Sequence, residues 1–212
     1  MNPVRIALTK GRLEADTVGL FEKMGYDCTQ LREKGRRLIL PIPGTPFDVV
    51  LAKAADVITY VEHGVCDVGI VGKDTIMENG HSFYEVLDLR FGKCRFALAG
   101  PKKEGFYDGY TAKRIATKYP NIARRFFETK GVDVEIIKIE GSVELAPLLG
   151  LSDAIVDIVE TGNTLRENGL HIIEEICPIS ARMIVNIPSM KLKKEEIDGL
   201  IDRIEQVRGK QP

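Results

Sequence analysis

Residues 153–170 read DAIVDIVETGNTLRENGL. The run Ala154, Ile155, Val156, Ile158, Val159 is apolar, carries an acid at Asp157 and meets a second at Glu160. It breaks at once into Thr161-Gly162-Asn163-Thr164 and then into a helical spacing. A short apolar run closed by a glycine turn and followed by a helical pattern reads as a buried strand entering a helix. Such a junction turns backbone N–H groups and the positive end of a helix dipole toward one point, here ringed by small hydroxyl side chains. That point suits a phosphate, and carboxylates one step upstream suit ribose hydroxyls or a magnesium ion. A sugar phosphate is the ligand the junction favours. The same pattern also closes parallel strands where nothing binds, and an acid there often caps the next helix. Local spacing leaves these two readings evenly matched.

Outward from this junction, strand and helix patterns alternate nearly throughout, which predicts an α/β fold. Val4–Leu8 reads as a strand, followed by Thr9-Lys10-Gly11-Arg12 and an amphipathic helix to about Met24 that stops at Gly25. Leu38–Leu40 and Phe47–Leu51 read as strands across a Pro-rich turn, Ala54–His63 as a helix, and Asp67–Val71 as a strand before another short helix. A strand is expected at Cys94–Ala99, a loop at Gly100–Gly109, a helix at Ile122–Lys130 and a strand at Val134–Ile139. A helix from Ser142 to Leu149, a strand at Ala181–Ile187 and a terminal helix at Lys193–Arg208 complete the pattern. The last helix suggests that the chain returns to its first lobe. The expected division is 1–90 plus 180–212 against 91–179, with a two-stranded hinge and a cleft between lobes.

Composition narrows the function. With 212 residues the chain can hold one large domain or two lobes that each bury a core. A net charge of −1 gives no electrostatic reason to expect nucleic acid. No apolar run is long enough to span a bilayer, and MNPVRIALTKGR enters a strand without the apolar segment of a secretory signal, so a cytoplasmic location is expected. The four cysteines are far apart and lack metal-ligand spacing; they read as small buried hydrophobes in a reducing compartment. His63, His81 and His171 are isolated, which leaves no zinc site and no Ser/His/Asp triad.

Further junctions offer candidate ligands, each with a plainer alternative. Lys10 and Arg12 lie after the first strand, where α/β sheets bind ligands, and Gly11 permits close backbone approach; a solvated basic loop would look the same. Gly69 and Gly72 serve either a ligand or helix–sheet packing, and Asp74 is a natural helix cap. Ser142 can cap the next helix, and Glu144 would then fall in its first turn, where the dipole favours an acid anyway. Lys53 sits at a strand end, where a lone Lys is usually solvated.

The order of these segments is more telling than any one of them. Thr9–Arg12 (TKGR), then DVITYVEHGVCDVGIVGKD from Asp56, GSVELAP from Gly141 and LSDAIVDIVETGNTLRENGL from Leu151 together resemble the ATP phosphoribosyltransferase family. The similarity runs from about Arg5 to Met183. It implies a two-lobed type II periplasmic-binding-protein-like fold, each lobe a mixed, mainly parallel sheet flanked by helices. It also implies a reaction in which adenine N1 of ATP attacks C1 of phosphoribosyl pyrophosphate, with Mg²⁺ held through substrate phosphates and not by protein alone. The chain looks like the short form, which implies a dimer of this chain and a regulatory partner resembling histidyl-tRNA synthetase.

On this resemblance Thr161, Gly162, Asn163 and Thr164 would hold the 5-phosphate and Asp157 the ribose hydroxyls. Glu160 would lie near the reacting adenine, although spacing allows the roles of the two acids to be exchanged. Lys10 and Arg12 would hold pyrophosphate or ATP phosphates, with Arg36 and Lys53 as weaker cationic candidates and Gly11, Gly72, Asp74, Ser142 and Glu144 as further binding positions. Two features depart from familiar patterns. Many family members carry Arg where this chain has Lys53, so a planar two-pronged phosphate contact is lost there. Asp157 and Glu160 are separated by Ile158 and Val159, unlike the adjacent acids of the common phosphoribosyltransferase motif.

Overall fold

The computed structural model describes residues 3–101, 104–109 and 111–209. The chain divides into two compact units, Met1–Gly92 with Ser180–Pro212, and Lys93–Ile179. The first change of unit therefore falls after Gly92, two residues beyond the expected boundary.

In the first unit the elements are β1 (Val4–Thr9), α1 (Arg12–Lys23), α2 (Thr29–Arg32), β2 (Ile39–Pro41), β3 (Phe47–Ala52), α3 (Ala54–Glu62), β4 (Val68–Gly72), α4 (Lys73–Asn79) and β5 (Tyr84–Asp88). The second unit holds β6 (Cys94–Gly100), β7 (Lys113–Thr117), α5 (Pro120–Lys130), β8 (Val134–Lys138), α6 (Leu145–Leu148), β9 (Ala154–Val159), α7 (Asn163–Glu167) and β10 (His171–Ile179). Back in the first unit follow β11 (Ala181–Val185), α8 (Ser189–Leu192) and α9 (Lys194–Arg208).

The first sheet has the order β2-β3-β1-β4-β11-β5. β1 runs parallel to β3 and β4, while the other three pairings are antiparallel. Period-2 alternation sends Ile6 and Leu8 to one face, where Val18 and Phe21 of α1 and Ile197, Leu200 and Ile204 of α9 pack on them. Ala7 points to the opposite face, with Val57, Ile58 and Val61 of α3. A helix on each face leaves the middle of β1 and all of β4 buried, which is why they read as largely apolar runs.

The second sheet has the order β10-β6-β9-β7-β8. β7 is parallel to both β8 and β9, whereas β6 is antiparallel to β9 and β10. On one face Ala97, Ala99, Ala116, Ile155 and Val159 pack against Val143, Ala146 and Leu165 of the α6 and α7 segments. Both sheets are thus mixed and flanked by helices, as expected, but parallel pairs do not predominate. They make up two of five pairings in one and two of four in the other.

Several expectations need correction. The helix from Ser142 to Leu149 contracts to α6, because Pro147 and Gly150 limit it. Cys28 and Cys66 are buried, and burial pushes their thiols up to about 11, but Cys94 and Cys177 are half-buried. Within the loop expected at Gly100–Gly109, Lys102 and Lys103 lie outside the described residues. Among the described residues no helix is long and apolar enough to cross a membrane.

Gly69 tests the tightness of the first sheet against α3. A Cβ there would lie 2.9 Å from side-chain carbons of Val57, Val61 and Ile184, whereas one on Gly19 of α1 would meet nothing within 4 Å. Gly69→Ala should destabilise the protein by about 1–3 kcal/mol through overpacking. Gly19→Ala should instead be neutral or stabilising by up to about 1 kcal/mol. Urea denaturation of the two variants checks the contrast.

Candidate active site

In the first unit, strand direction collects the basic candidates at one edge. β1, β3 and β4 run parallel, so residues leaving their carboxyl ends emerge together. Lys10 extends the ladder by donating its backbone N–H to the Ala52 carbonyl at 2.9 Å, which sets Lys10 and Lys53 side by side. Both side chains are exposed. Gly11 has φ of 100°, a conformation that favours glycine, and its N–H faces Glu14 Oε2 at 3.4 Å at the entrance to α1. Arg12 opens that helix and is exposed.

Arg36 reaches the same edge by another route. β2 is antiparallel to β3, and Leu51 donates its N–H to Leu38 at 2.9 Å, so the segment before β2 lies beside the end of β3. Lys34 in that segment is ion-paired with Glu14 of α1. Gly72 ends β4 and is the N-cap of α4, with Asp74 in the first turn. A Cβ on Gly72 would come within 2.0 Å of Asp74 Oδ1, so glycine is what lets this carboxylate fold back over the strand end. Lys10, Gly11, Arg12, Arg36, Lys53, Gly72 and Asp74 thus share one sheet edge.

In the second unit the parallel trio β7, β8 and β9 does the same with different chemistry. β9 delivers Asp157 near its end and then Glu160 and the turn Thr161–Thr164. Gly162 adopts φ of 77° at the N-cap of α7, and Asn163 N–H faces Thr161 Oγ1 at 3.4 Å. The amides of Asn163, Thr164 and Leu165 belong to a first helical turn, where no intrahelical carbonyl reaches them. Thr161, Asn163 and Thr164 are exposed, while Leu165 and Leu170 are buried and fasten the turn to the sheet. α7 has only five residues, so its dipole is smaller than the sequence pattern suggests and the turn's own amides are the main donors.

Asp157 is half-buried, and alternation with Ile155 and Val159 places it on the face covered by α6 and α7. Burial pushes its carboxyl up from 3.8 to about 6; Glu144 adds repulsion, while the Ile158 backbone and Lys118 oppose the shift. Glu144 itself is the N-cap of α6, not a first-turn residue. Ser142 sits two positions earlier, its carbonyl accepting from Leu145 N–H at 3.3 Å, so it is not the cap of that helix. Glu160 is in different surroundings from Asp157. It is exposed beside a depression of about 450 Å³ with Lys93, Arg95 and Glu175, and its carbonyl accepts from Arg95 at 3.2 Å. Lys118, after β7, and Arg95, at the start of β6, reach this edge without any motif having pointed to them.

These features define a class first. The fold resembles that of the periplasmic aliphatic sulphonate binding protein SsuA from Escherichia coli, with TM-score 0.60 at 13% identity over 98% of this chain and 72% of that one. It is the two-lobed type II periplasmic-binding-protein-like class, here with cations at one sheet edge and carboxylates with a Thr-Gly-Asn-Thr turn at the other. The family is then fixed by sequence. The model for ATP phosphoribosyltransferase (HisG) matches residues 53–206. ATP phosphoribosyltransferases of Clostridium kluyveri and Clostridium acetobutylicum are 63% and 60% identical, each over 95% of this chain and over 92% and 94% of their own lengths. A chain of the ATP phosphoribosyl transferase (HisG:HisZ) complex from Thermotoga maritima superposes with TM-score 0.80 at 38% identity, over 96% of this chain and 98% of that one. The chain belongs to the ATP phosphoribosyltransferase family, pentosyltransferases that carry out the first step of histidine biosynthesis.

The position of Asp157 carries a stability cost with a definite sign. Its folded value, about 6, exceeds the 3.8 of the fully solvated group, so folding favours the protonated form. That contribution is complete below the unfolded value and is lost as pH rises through the folded one. Asp157→Asn should therefore stabilise the protein at neutral pH by on the order of 1–3 kcal/mol, with little difference near pH 4. Thermal melts across that pH range measure it.

Proposed function

We propose that each sheet edge holds its own substrate of the phosphoribosyl transfer. The observation that carries this reading is the segregation of chemistry: cations after β1 and β3, and carboxylates with a hydroxyl-lined turn after β9. The Thr161-Gly162-Asn163-Thr164 turn receives the 5-phosphate through backbone amides and two Thr hydroxyls, and Asp157 accepts from the ribose hydroxyls. Lys10 and Arg12 bind ATP or pyrophosphate oxygens, with Arg36, Lys53 and the Gly72–Asp74 junction flanking them. Gly11 lets the backbone approach those oxygens closely. Glu160, exposed and apart from Asp157, stabilises the growing positive charge; Ser142 and Glu144 border the phosphoribosyl group.

In the reaction the lone pair of adenine N1 forms a bond to ribose C1 as the C1–O bond to pyrophosphate breaks. The bonding pair leaves on pyrophosphate, and the exocyclic amine of adenine loses a proton as the product settles. Positive charge grows on the sugar, so the chain's part is alignment and stabilisation of the separating charges. No strong base is required, which suits a site without a histidine in a reactive position.

Magnesium is the divalent ion this arrangement fits. The ion would be held mainly through the phosphates of the substrates and not by the protein alone. Among the described residues no group of three or more metal-ligating side chains forms a cage. Mg²⁺ keeps several waters and favours one or two carboxylates together with substrate phosphates, and it would supply charge neutralisation to the departing pyrophosphate. The Thermotoga relative is a HisG:HisZ complex, which supports a second, regulatory HisZ-type subunit for this chain; that this subunit is histidyl-tRNA-synthetase-like, and that the assembly is built on a homodimer of this chain, follow from the family resemblance. A cytoplasmic location accords with the substrates, and the two units correspond to the two lobes.

Two variants test the assignment in an absorbance assay of phosphoribosyl-ATP formation, with pyrophosphatase present and the partner added. Thr161→Ala combined with Thr164→Ala should weaken phosphoribosyl pyrophosphate binding by about five- to a hundredfold, through about 1–3 kcal/mol of lost hydrogen bonding. Unchanged affinity in calorimetric titration would remove the turn from the site. Lys10→Ala should raise KM for ATP or lower kcat by a comparable factor; unaltered kinetics would place Lys10 outside it.

A further inference from the structure

Among the described residues two acids are buried, Asp67 and Glu14, and they stand at opposite ends of the first sheet's parallel strands. Asp67 precedes β4 and is used wholly in fastening elements together. It accepts from Arg5 N–H at 2.8 Å, Ser189 Oγ at 2.7 Å and Lys193 Nζ at 2.7 Å, which ties α8 and α9 to the sheet. Glu14 lies at the other end, in the first turn of α1, beside the candidate cations. No motif pointed to it, and a buried carboxylate at an edge meant for phosphates needs a reason.

The two oxygens of Glu14 engage different segments. Oε2 faces the N–H of Gly11 at 3.4 Å, and Gly11 stands between Lys10 and Arg12. Oε1 is ion-paired with Lys34 Nζ, from a segment twenty residues further along the chain. Lys34 opens a tight turn, in which Arg37 N–H donates to the Lys34 carbonyl at 3.0 Å. Gly35 supplies a φ of 57° at the second position of that turn. Arg37 closes it further, its Nε donating to the Lys34 carbonyl and its Nη2 to the Glu33 carbonyl, both at 3.3 Å. Arg36 is the third residue of the turn, so whatever holds Lys34 holds the backbone that presents Arg36.

A second ion pair joins the same segment to α1. Arg32 binds Glu22 through Nε at 3.0 Å and Nη2 at 2.9 Å. Its side chains are 50% and 42% exposed, and pairs so open to water hold little. The Glu14 side chain is only 8% exposed, and a pair with a desolvated partner is costly to break.

We propose that Glu14 is a positioning residue for the cation edge: its carboxylate clamps the Lys10–Arg12 loop and the Lys34–Arg37 turn together, so that Lys10, Arg12 and Arg36 converge on one polyphosphate. The inference rests on the reading of this edge as the ATP site. Glu14 does not touch the nucleotide, since a carboxylate repels phosphate. Lys34 offsets that charge and serves as its tether, not as a phosphate ligand.

The test is a double-mutant cycle on the full chain with its partner, with KM measured for both substrates. Glu14→Gln should raise KM for ATP by about five- to thirtyfold and move KM for phosphoribosyl pyrophosphate by less than about twofold. Lys34→Gln should do the same, and the double variant should be no worse than either alone, because one contact is lost in all three. The double variant leaves no buried charge unpaired, so it keeps the test open if Lys34→Gln folds poorly. Glu22→Gln should leave both KM values unchanged. An unmoved KM for ATP in Glu14→Gln overturns the proposal, as does an equal rise in both KM values, which would mark general loosening. Multiplying losses in the double variant also overturn it, since Lys34 would then be a phosphate ligand in its own right. Lys10→Ala is run alongside: if it leaves the kinetics unaltered, the reading of the edge itself fails, a failure visible without any Glu14 variant.

Discussion

Parallel pairing is the constraint on which the rest of this molecule depends. Because β1, β3 and β4 share a direction, the residues that leave them are delivered to one edge of the first sheet. β7, β8 and β9 do the same in the second. Antiparallel neighbours then bring their starting residues to those edges, which is how Arg36 joins Lys10 and Arg95 joins Asp157. Parallel strands require crossover helices, and these helices cover both faces of the first sheet's central strands, so polar chemistry is confined to the strand ends. The positions of the candidate residues follow from strand direction before any side chain is considered.

At those edges local stability gives way to chemistry. Gly11 and Gly162 hold left-handed conformations that other residues adopt only with strain, each at the mouth of a helix. Asp157 is kept where burial and Glu144 disfavour its charge. In a protein whose net stability is a small difference between large terms, a carboxyl held this way is a measurable burden. On the proposed reading, the charged form is the one that accepts the hydroxyl hydrogens of the ribose.

Much of this was legible in the sequence, and the failures have physical causes. The strands at Val4 and Ala154 and the turns at Gly11 and Gly162 were plain because each is a mostly apolar run followed within a few residues by a glycine before a helical pattern. β10 was missed because it lies at the sheet margin, keeps Glu174 and Glu175 in mid-strand, and has register shifts between Ile172 and Glu174 and between Glu175 and Cys177. Those bulges break the period-2 alternation that identifies a strand. β7 was missed because only Ile115, Ala116 and Thr117 of it are buried. The positions of the candidate carboxylates and turn at the end of a strand could be read from sequence. The separation of Asp157 from Glu160 could not, since it depends on which face α6 and α7 cover.

The central claim is that the two sheet edges divide the substrates, and backbone amide shifts report on it directly. The protein, labelled with ¹⁵N, is titrated separately with phosphoribosyl pyrophosphate and with ATP, each with Mg²⁺. The account predicts that phosphoribosyl pyrophosphate alone moves the amides of Asp157 and of residues 161–165, while ATP alone moves those of residues 9–12 and Lys53. Phosphoribosyl pyrophosphate leaving the Thr161–Thr164 turn unmoved, or ATP shifting that turn instead of the Lys10 edge, would contradict it.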